Sequence, residues 1–434
     1  MRLLTKLRLS AFVALVGASL SFPAAAPARV HHVGPGESIQ REIDRASPGD
    51  AIVVAAGVYH ENLTILAKDH ITLRGAGATP GGTVLEPAAT PHPSICTEFG
   101  EVNGICVTGA VDPVTRANGA PITGARVSGF LVRHFTRFGI LVNNAIDTTI
   151  ADSEASHSGG WGMAGFIVSG VRYLRDVSHD NGQGGLYIAD SPEANAAVIG
   201  NRAFRNAREE GLGLLVRDAS HGVVRDNELR ANCAGIWFLD GPLAGATGDW
   251  AARENVVHDN SAACPPSEDI PVPISGFGIA LTGTDHVVAD DNIVTGNQPS
   301  GDTVFAGGIV VASTTAFGGA DPTNNLVDHN TALHNVPADL VYDGSGSANR
   351  FVANDCGTSI PDGLCENGDA GGGGRPASVR RSHAACPPHP ARSTARGRRK
   401  PAGSLAEASD RCPDRPHDHI TRFRRDGPER QENP

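Results

Sequence analysis

The sequence predicts an all-β protein whose main body is a right-handed parallel β-helix, a solenoid of stacked coils. A short N-terminal capping helix and a disordered C-terminal tail complete the predicted fold. Three observations predict the solenoid: paired asparagines at a fixed spacing, glycines that restart a short alternating strand, and a repeat of about 20 to 30 residues. This repeat is long enough for one solenoid coil and too short for a β-α-β unit.

Asparagines five residues apart form the most regular part of the repeat. The pairs are Asn201 and Asn206, Asn227 and Asn232, Asn255 and Asn260, Asn292 and Asn297, and Asn330 and Asn335. Stacked strands lie about 4.8 Å apart, so equivalent asparagines can hydrogen-bond from coil to coil and satisfy buried turns. We therefore interpret the asparagines as structural. Asp176 with Asn181, and Asp152 with His157, continue the frame upstream.

Glycines mark where the next strand of each coil begins. They are Gly139, Gly185, Gly213, Gly235, Gly278 and Gly308. Longer gaps in the repeat predict loops that leave one side of the solenoid, at 241–253, 261–275, 298–306 and 314–323. Near the start, Ser38 to Ile43 predicts one amphipathic helix that covers the open end of the first coil.

The two ends of the chain differ from the solenoid. Residues 1–28 predict a secretory signal, because three positive charges precede an apolar run from Leu9 to Leu20 and small residues follow. That run is shorter than the ~20 residues that span a bilayer, so we expect no membrane anchor after cleavage. Residues 29–368 predict the β-helix, and residues 369–434, rich in Arg and Pro without apolar periodicity, predict the disordered basic tail.

Composition narrows the compartment and the partners. Eight cysteines in an exported chain favour disulfides, and three local pairs are predicted: Cys96 with Cys106, Cys233 with Cys264, and Cys356 with Cys365. The net charge is −11, and since the tail is about +7 and the signal about +3, the body is about −21. An acidic body argues against nucleic acid as a partner. We expect a secreted monomer.

Several short motifs of the N-terminal part carry a family resemblance. Pro35-Gly36-Glu37-Ser38-Ile39-Gln40, Pro48-Gly49-Asp50, Gly57-Val58-Tyr59, Glu61-Asn62 and Leu73-Arg74-Gly75 resemble the first module of pectate-lyase-like β-helix proteins. The later repeats resemble the parallel β-helix repeats of the same superfamily, which includes mannuronan epimerases and the accessory protein of nitrous oxide reductase. The chain looks most similar to unassigned secreted β-helix repeat proteins of actinobacteria. The resemblance implies the fold and leaves the activity open.

A column of polar residues follows the strand glycines. Five residues after these six glycines stand Asn144, Asp190, Asp218 and Asp240, and then Gly283 and Ser313. The three aspartates are predicted on adjacent coils within about 5 Å of one another, close enough to raise a pKa or to share a cation, with Ca²⁺ the candidate cofactor. Each aspartate also begins a good turn sequence, which gives a purely structural alternative.

Neighbouring residues extend this column into a candidate catalytic site. Arg217 precedes Asp218, and Tyr187 and Trp237 are predicted to project outward as surfaces on which sugars stack. In a lyase or epimerase, Arg217 would neutralise the uronate carboxylate and the aspartates would supply the acid and the base. In a hydrolase, two of the carboxylates would suffice. Asn144 is predicted to contact the substrate.

Histidines define a rival site. His179 and His258 share an outward column, and His157 and His334 lie nearby in the same frame. Imidazoles would suit copper, which makes a metal-delivery accessory protein one alternative. Two coils separate His179 from His258, so we predict no metal ligands. The leading hypothesis is a secreted carbohydrate-active β-helix that binds, cleaves or epimerises a polysaccharide; the main alternative is a non-catalytic extracellular binding scaffold.

Overall fold

A computed structural model describes residues 27–97, 101–206, 210–241, 247–267 and 269–365. The predicted signal, apart from residues 27 and 28, and the predicted tail lie outside the described residues. Within the described ranges, no helix is both long enough and apolar enough to cross a membrane.

Short strands stack into three parallel sheets, which we call A, B and C in the order in which each coil reaches them. Sheet A contains Val30–Val33, Ala51–Val54, Thr72–Arg74, Arg126–Ser128, Thr149–Ala151, Arg172–Leu174, Ala196–Ile199, Gly222–Arg225, Trp250–Arg253, Val288–Asp290, Leu326–Asp328 and Arg350–Val352. Sheet B contains Gly57–His60, Thr83–Glu86, Phe130–Arg133, Glu154–Ser156, Val177–His179, Arg202–Phe204, Glu228–Arg230, Val256–His258, Ile293–Thr295, Thr331–Leu333 and Asp355–Cys356.

Sheet C carries the longest strands. It contains Leu63–Leu66, Ile105–Thr108, Ile140–Ile146, Trp161–Ser169, Gly184–Ser191, Leu212–Ala219, Ala234–Leu239, Phe277–Thr282, Gly307–Ala312, Leu340–Tyr342 and Ser359–Ile360, with Ile122–Thr123 paired beside Ile140–Ile146. Each strand pairs with the equivalent strand of the next coil, so the structure confirms the predicted parallel β-helix.

The core lies inside the solenoid because alternate residues of every strand point inward. The residues two positions after the first ladder residue of each coil are buried: Ser178, Ala203, Leu229, Val257, Val294 and Ala332. A second apolar cluster covers the outer face of sheet C, where Leu215, Trp237 and Ala280 pack beneath Ile270. Sheet C is therefore apolar on both faces.

The two asparagine columns form continuous ladders at the corners between sheets. From Asp176 to Asn354, each backbone N–H of the first column donates to the side-chain oxygen of the next coil, over 2.8 to 3.1 Å. The second column runs in the same way from Ser158 to Asn335 and ends on Asp339. The structural interpretation of these asparagines is confirmed.

A single α-helix, Ile39–Arg45, closes the N-terminal end of the solenoid within the described part of the chain. Ser38 is its N-cap and accepts a hydrogen bond from the Arg41 N–H. The Gln40 side-chain amide pairs with the Thr64 backbone on both sides, donating to its carbonyl at 3.1 Å and accepting from its N–H at 2.7 Å. Gln40 thus satisfies the edge of sheet C that would otherwise be open to another strand.

All three predicted disulfides are present: Cys96–Cys106, Cys233–Cys264 and Cys356–Cys365. The predicted positions of the loops need correction. The loops near 241–249 and 313–323 lie between sheets C and A, whereas those near 261–275 and 298–306 lie between sheets B and C. They leave from both corners of sheet C, and not from one side, so together they form walls around its outer face.

Candidate functional site

The strand register confirms the aspartate column. Ala189 pairs with Arg217 and Arg217 pairs with Leu239, which places Asp190, Asp218 and Asp240 on three consecutive coils. Asn144 does not adjoin them, because the coil of Trp161–Ser169 intervenes and contributes Ile167 to the column. Asn144 donates to the Gly119 carbonyl at 3.1 Å and is buried beneath that loop, so its predicted contact with substrate is not supported.

Backbone conformation explains part of the residue choice in this column. Asn144, Asp190 and Asp218 have φ values of 47°, 51° and 50°. This left-handed region is one that Asn and Asp enter more readily than most residues. The left-handed backbone at this corner of the coil therefore accounts for Asn or Asp at these positions, whether or not the side chains take part in catalysis.

Asp218 is the most deeply buried carboxyl group of the column, with 1% of the residue exposed. Its Oδ1 accepts the Gly241 N–H at 2.6 Å, and its Oδ2 lies 3.5 Å from the Arg217 Nε. Burial raises the pKa of this carboxyl, and the neighbouring Asp190 adds to the rise while Arg217 opposes it.

Asp240 occupies the next coil and lines an open cleft. Its Oδ1 accepts the Thr247 N–H at 2.9 Å, and the Ala320 backbone also donates a hydrogen bond to this carboxyl. Burial raises the pKa of Asp240, the Thr247 hydrogen bond opposes that rise, and the Asp218 carboxylate adds to it. The column is thus electrostatically coupled, since Asp190 disfavours ionisation of Asp218 and Asp218 disfavours ionisation of Asp240.

The cleft lies over sheet C and has a volume of about 300 Å³. Its floor is formed by Arg217, Trp237, Leu239 and Asp240, and its walls come from the loops at both corners of sheet C: Asp269, Ile270, Pro271, Val272, Val304, Phe305, Ser313, Thr314 and Phe317. Arg217 and Asp240 enter it from adjacent coils, so a cation and a carboxyl with a raised pKa face the same space.

The two predicted aromatic contacts differ in exposure. Tyr187 is half-buried, stacks on Trp161 with ring centroids 4.6 Å apart, and has a pKa that burial raises. Trp237 projects outward as predicted, but only 3% of it is exposed because Phe277 and Phe305 pack edge-on against its ring. Its indole N–H donates to the Thr282 hydroxyl at 2.8 Å. Trp237 therefore supports the floor and offers little surface to a sugar.

Three residues of the cleft region carry no repeat signal and were not predicted. Phe317 is 52% exposed at the rim and is the aromatic ring best placed to stack on a sugar. Glu210 is buried and accepts from the Ser267 hydroxyl at 2.9 Å. Asp269 accepts from Gln183 at 3.3 Å through its side chain and from Arg217 at 3.4 Å through its carbonyl.

Comparison with known proteins identifies the fold family. A family model described as a right handed beta helix region matches residues 103–363. The chain belongs to this right-handed β-helix family. The match confirms the predicted handedness and covers every coil that contributes to the cleft. A sequence comparison with curated proteins gave no match.

Solved structures of other β-helix proteins resemble this right-handed β-helix. The A-module of a mannuronan C-5 epimerase from Azotobacter vinelandii has 17% identity and a TM-score of 0.50, over 73% of this chain and 90% of that one. A pectate lyase has 14% identity and a TM-score of 0.40, over 68% and 77%. A DFA-IIIase from Arthrobacter chlorophenolicus, solved without its lid, has 12% identity and a TM-score of 0.41, over 77% and 93%. These identities show likeness of fold alone.

The histidines of this β-helix that were considered as a rival site lie on sheet B, away from the cleft. Register places His179 and His258 in one column with Phe204 and Arg230 between them, as predicted. His179 forms hydrogen bonds through both ring nitrogens: its Nε2 lies 3.1 Å from the Glu154 Oε1 and its Nδ1 lies 2.5 Å from the Asp180 Oδ2. Both carboxylates raise the pKa of His179 against the effect of its partial burial.

Proposed function

We propose that the chain is a secreted carbohydrate-active protein that binds an acidic polysaccharide in the sheet C cleft and removes the C5 proton of a uronate. The observation that carries this proposal is the meeting of Arg217 and Asp240 in one cleft from adjacent coils. The epimerase module that shares the fold acts on mannuronan, which makes uronate polymers the first substrates to test. Three disulfides are typical of an oxidising compartment and support export.

Each residue has a role that follows from its environment. The Arg217 guanidinium presents paired N–H donors that match the geometry of a uronate carboxylate. Neutralising that carboxylate makes the adjacent C5 proton easier to remove, and Asp240 is the base that removes it. A raised pKa makes Asp240 a stronger base once it is ionised. Phe317 offers the ring on which a neighbouring sugar stacks.

We expect Asp240→Asn to lower turnover at least about 100-fold, because general-base catalysis contributes factors of that order. Arg217→Gln should lower turnover as well as raise KM, because the guanidinium both binds the uronate carboxylate and neutralises it. Arg217→Lys should recover part of the loss because it keeps the charge. The measurement is deuterium incorporation at C5 of polymannuronate and polygalacturonate in heavy water, followed by NMR. This exchange detects epimerisation, in which a proton returns to C5. Elimination removes the C5 proton without returning one, so it is followed by the ultraviolet absorbance of the C4–C5 double bond in the product.

A matched control distinguishes the loss of Arg217 from the general effect of removing a positive charge from the surface. Arg225→Gln removes an arginine on sheet A that pairs with Asp226 and lies far from the cleft. Its activity should equal that of the wild type. New reducing ends with neither deuterium exchange nor an unsaturated product would instead indicate a hydrolase. Retention on a polysaccharide column without chemistry would indicate a binding scaffold. Full exchange activity in Asp240→Asn would rule out the proposed base.

Asp218 is assigned as a positioning residue that acts through Asp240. Its carboxylate raises the pKa of Asp240, so Asp218→Asn should lower that pKa and shift the acid limb of the pH–rate profile to lower pH. The amide oxygen of the introduced asparagine would keep an acceptor for the Gly241 N–H, so folding should be retained. An unshifted acid limb, with activity present, would contradict this role.

A further inference from the structure

A compact group of histidine and carboxylate side chains lies at the corner that follows sheet B. His157 and Asp180 occupy equivalent positions on adjacent coils, and His179 precedes Asp180 at the end of its strand. Each of the three offers one ligand atom, and these atoms all lie within 4.8 Å of one another. His134 occupies the equivalent position one coil earlier, with its ring centroid 5.1 Å from that of His157. Nothing in the proposed function uses this corner.

His179 is held in place before any ligand arrives. Its ring lies flat on Phe204, with centroids 4.8 Å apart and planes inclined by 5°. Its Nε2 lies 3.1 Å from the Glu154 carboxylate, which fixes the ring orientation and leaves Nδ1 directed at Asp180. Metal-binding histidines characteristically make such a bond from the second ring nitrogen to a carboxylate, which orients the ring and strengthens it as a ligand.

Asp180 also pairs with Arg205 on the following coil. Arg205 donates to Oδ1 at 3.0 Å and to Oδ2 at 2.5 Å, while His179 lies beside Oδ2. A cation at Oδ2 would replace the proton between His179 and Asp180 and the Arg205 hydrogen bond to Oδ2, while the Arg205 bond to Oδ1 would remain. Ligand atoms of a tetrahedral zinc site are about 3.3 Å apart, so the exposed His157 side chain needs only a small rotation.

We infer that His157, His179 and Asp180 form a binding site for a late first-row divalent cation such as Zn²⁺, with Glu154 positioning His179. Two imidazoles and one carboxylate are a donor set that suits these cations, and solvent supplies the remaining position. The site is independent of the polysaccharide cleft, because it lies on sheet B and shares no residue with the cleft.

The test is a Zn²⁺ titration of the full mature chain in competition with a chromophoric chelator. Histidines of the tail, such as His383 and His417, contribute the same background to every variant. His157→Gln should remove one zinc equivalent or weaken its binding at least about 10-fold. Glu154→Gln should lower the affinity for the same zinc ion by about 10-fold to 100-fold, which is the usual effect of removing a carboxylate that orients a metal-binding histidine.

His258 supplies a matched control, because it occupies the same strand position as His179 on a later coil. His258 lies 2.8 Å from the Asp259 carboxylate, and His179 lies 2.5 Å from that of Asp180, but Ala231 stands where His157 would be. His258→Gln should therefore leave zinc binding unchanged. Ala231→His should add a second equivalent, because histidine accepts the left-handed conformation that Ala231 already adopts at φ 54°.

Two outcomes would overturn the site. One is zinc binding that is identical in the wild type and His157→Gln, provided that both have the same circular dichroism spectrum. The other is equal loss of binding in His157→Gln and His258→Gln, which would mean that the histidines bind zinc without selectivity. A visible Co²⁺ spectrum that shows tetrahedral coordination in the wild type and is lost in His157→Gln would support it.

Discussion

Replacing Asn255 by alanine is expected to lower the free energy of unfolding by about 4 kcal/mol, since it breaks a buried ladder at its centre. The Asn255 side chain accepts from the Asn227 N–H and side-chain amide at 3.1 and 2.9 Å. It donates to the Val224 carbonyl and to Asn292 Oδ1, both at 2.9 Å. Alanine would leave all four of these buried groups without that partner, which costs more than an exposed hydrogen bond.

The measurement is the guanidinium midpoint of unfolding, followed by circular dichroism. Asn118→Ala is the control, because Asn118 is exposed and accepts a long bond of 3.4 Å from Asn143. That substitution should change stability by less than about 0.5 kcal/mol. Equal midpoints for Asn255→Ala and Asn118→Ala would show that the ladder does not contribute net stability.

Stability should also fall as pH rises, because of a carboxyl group at the upstream end of that ladder. Asp176 is 1% exposed, and burial raises its pKa to about 8 against the effect of hydrogen bonds from the Ser153 and Leu174 N–H groups. A carboxyl whose pKa rises on folding binds its proton more tightly in the native state. The native state therefore loses stability between the ordinary pKa of 3.8 and about 8.

This loss is on the order of 5 kcal/mol when the whole interval is crossed. Asp176→Asn should abolish it, because asparagine has no charge and is the residue that the following coils use at this position. The variant would lose the hydrogen bond that Asp176 Oδ2 accepts from the Leu174 N–H, which offsets part of the gain. Asp339, at the end of the other ladder, is the contrasting case. Its two oxygens accept from Asn335, Gly357 and Thr358, so Asp339→Asn should destabilise the protein.

Unfolding midpoints of the wild type and Asp176→Asn, compared at several pH values, check this prediction. The two curves should converge at acid pH and separate in neutral solution, with the variant the more stable. Parallel curves across that range would mean that Asp176 does not titrate as its burial indicates. Because both proteins share all other titrating groups, the difference between the curves isolates this one carboxyl.

The sequence was sufficient for the periodic part of the structure. Asparagine spacing depends on a ladder that repeats in every coil, so the pattern survives even where loops lengthen the chain between Asn255 and Asn292. The same frame located the column of Asp190, Asp218 and Asp240 correctly. It missed the coil that contains Ile167, because Gly165 stands there in place of an inward apolar residue such as Ile188.

The walls of the cleft could not be predicted in the same way. Phe317 and Asp269 lie in loops that follow no repeat, so only tertiary structure shows that they face Arg217. The burial of Trp237 has the same origin, because its strand predicts the direction of the side chain but not the loop that covers it. Periodicity thus predicts the scaffold, and the site depends on the segments that interrupt it.

Those interruptions leave the ladder almost untouched. Successive ladder residues are separated by 26 positions between Asn201 and Asn227 and by 37 between Asn255 and Asn292, yet their hydrogen bonds are 2.8 and 3.1 Å long. Lengthening a loop by this amount costs only a fraction of a kcal/mol in closure entropy, roughly 0.3 kcal/mol. The corners of sheet C are therefore places where the chain can acquire new recognition surfaces in evolution while its hydrogen-bonded frame stays the same.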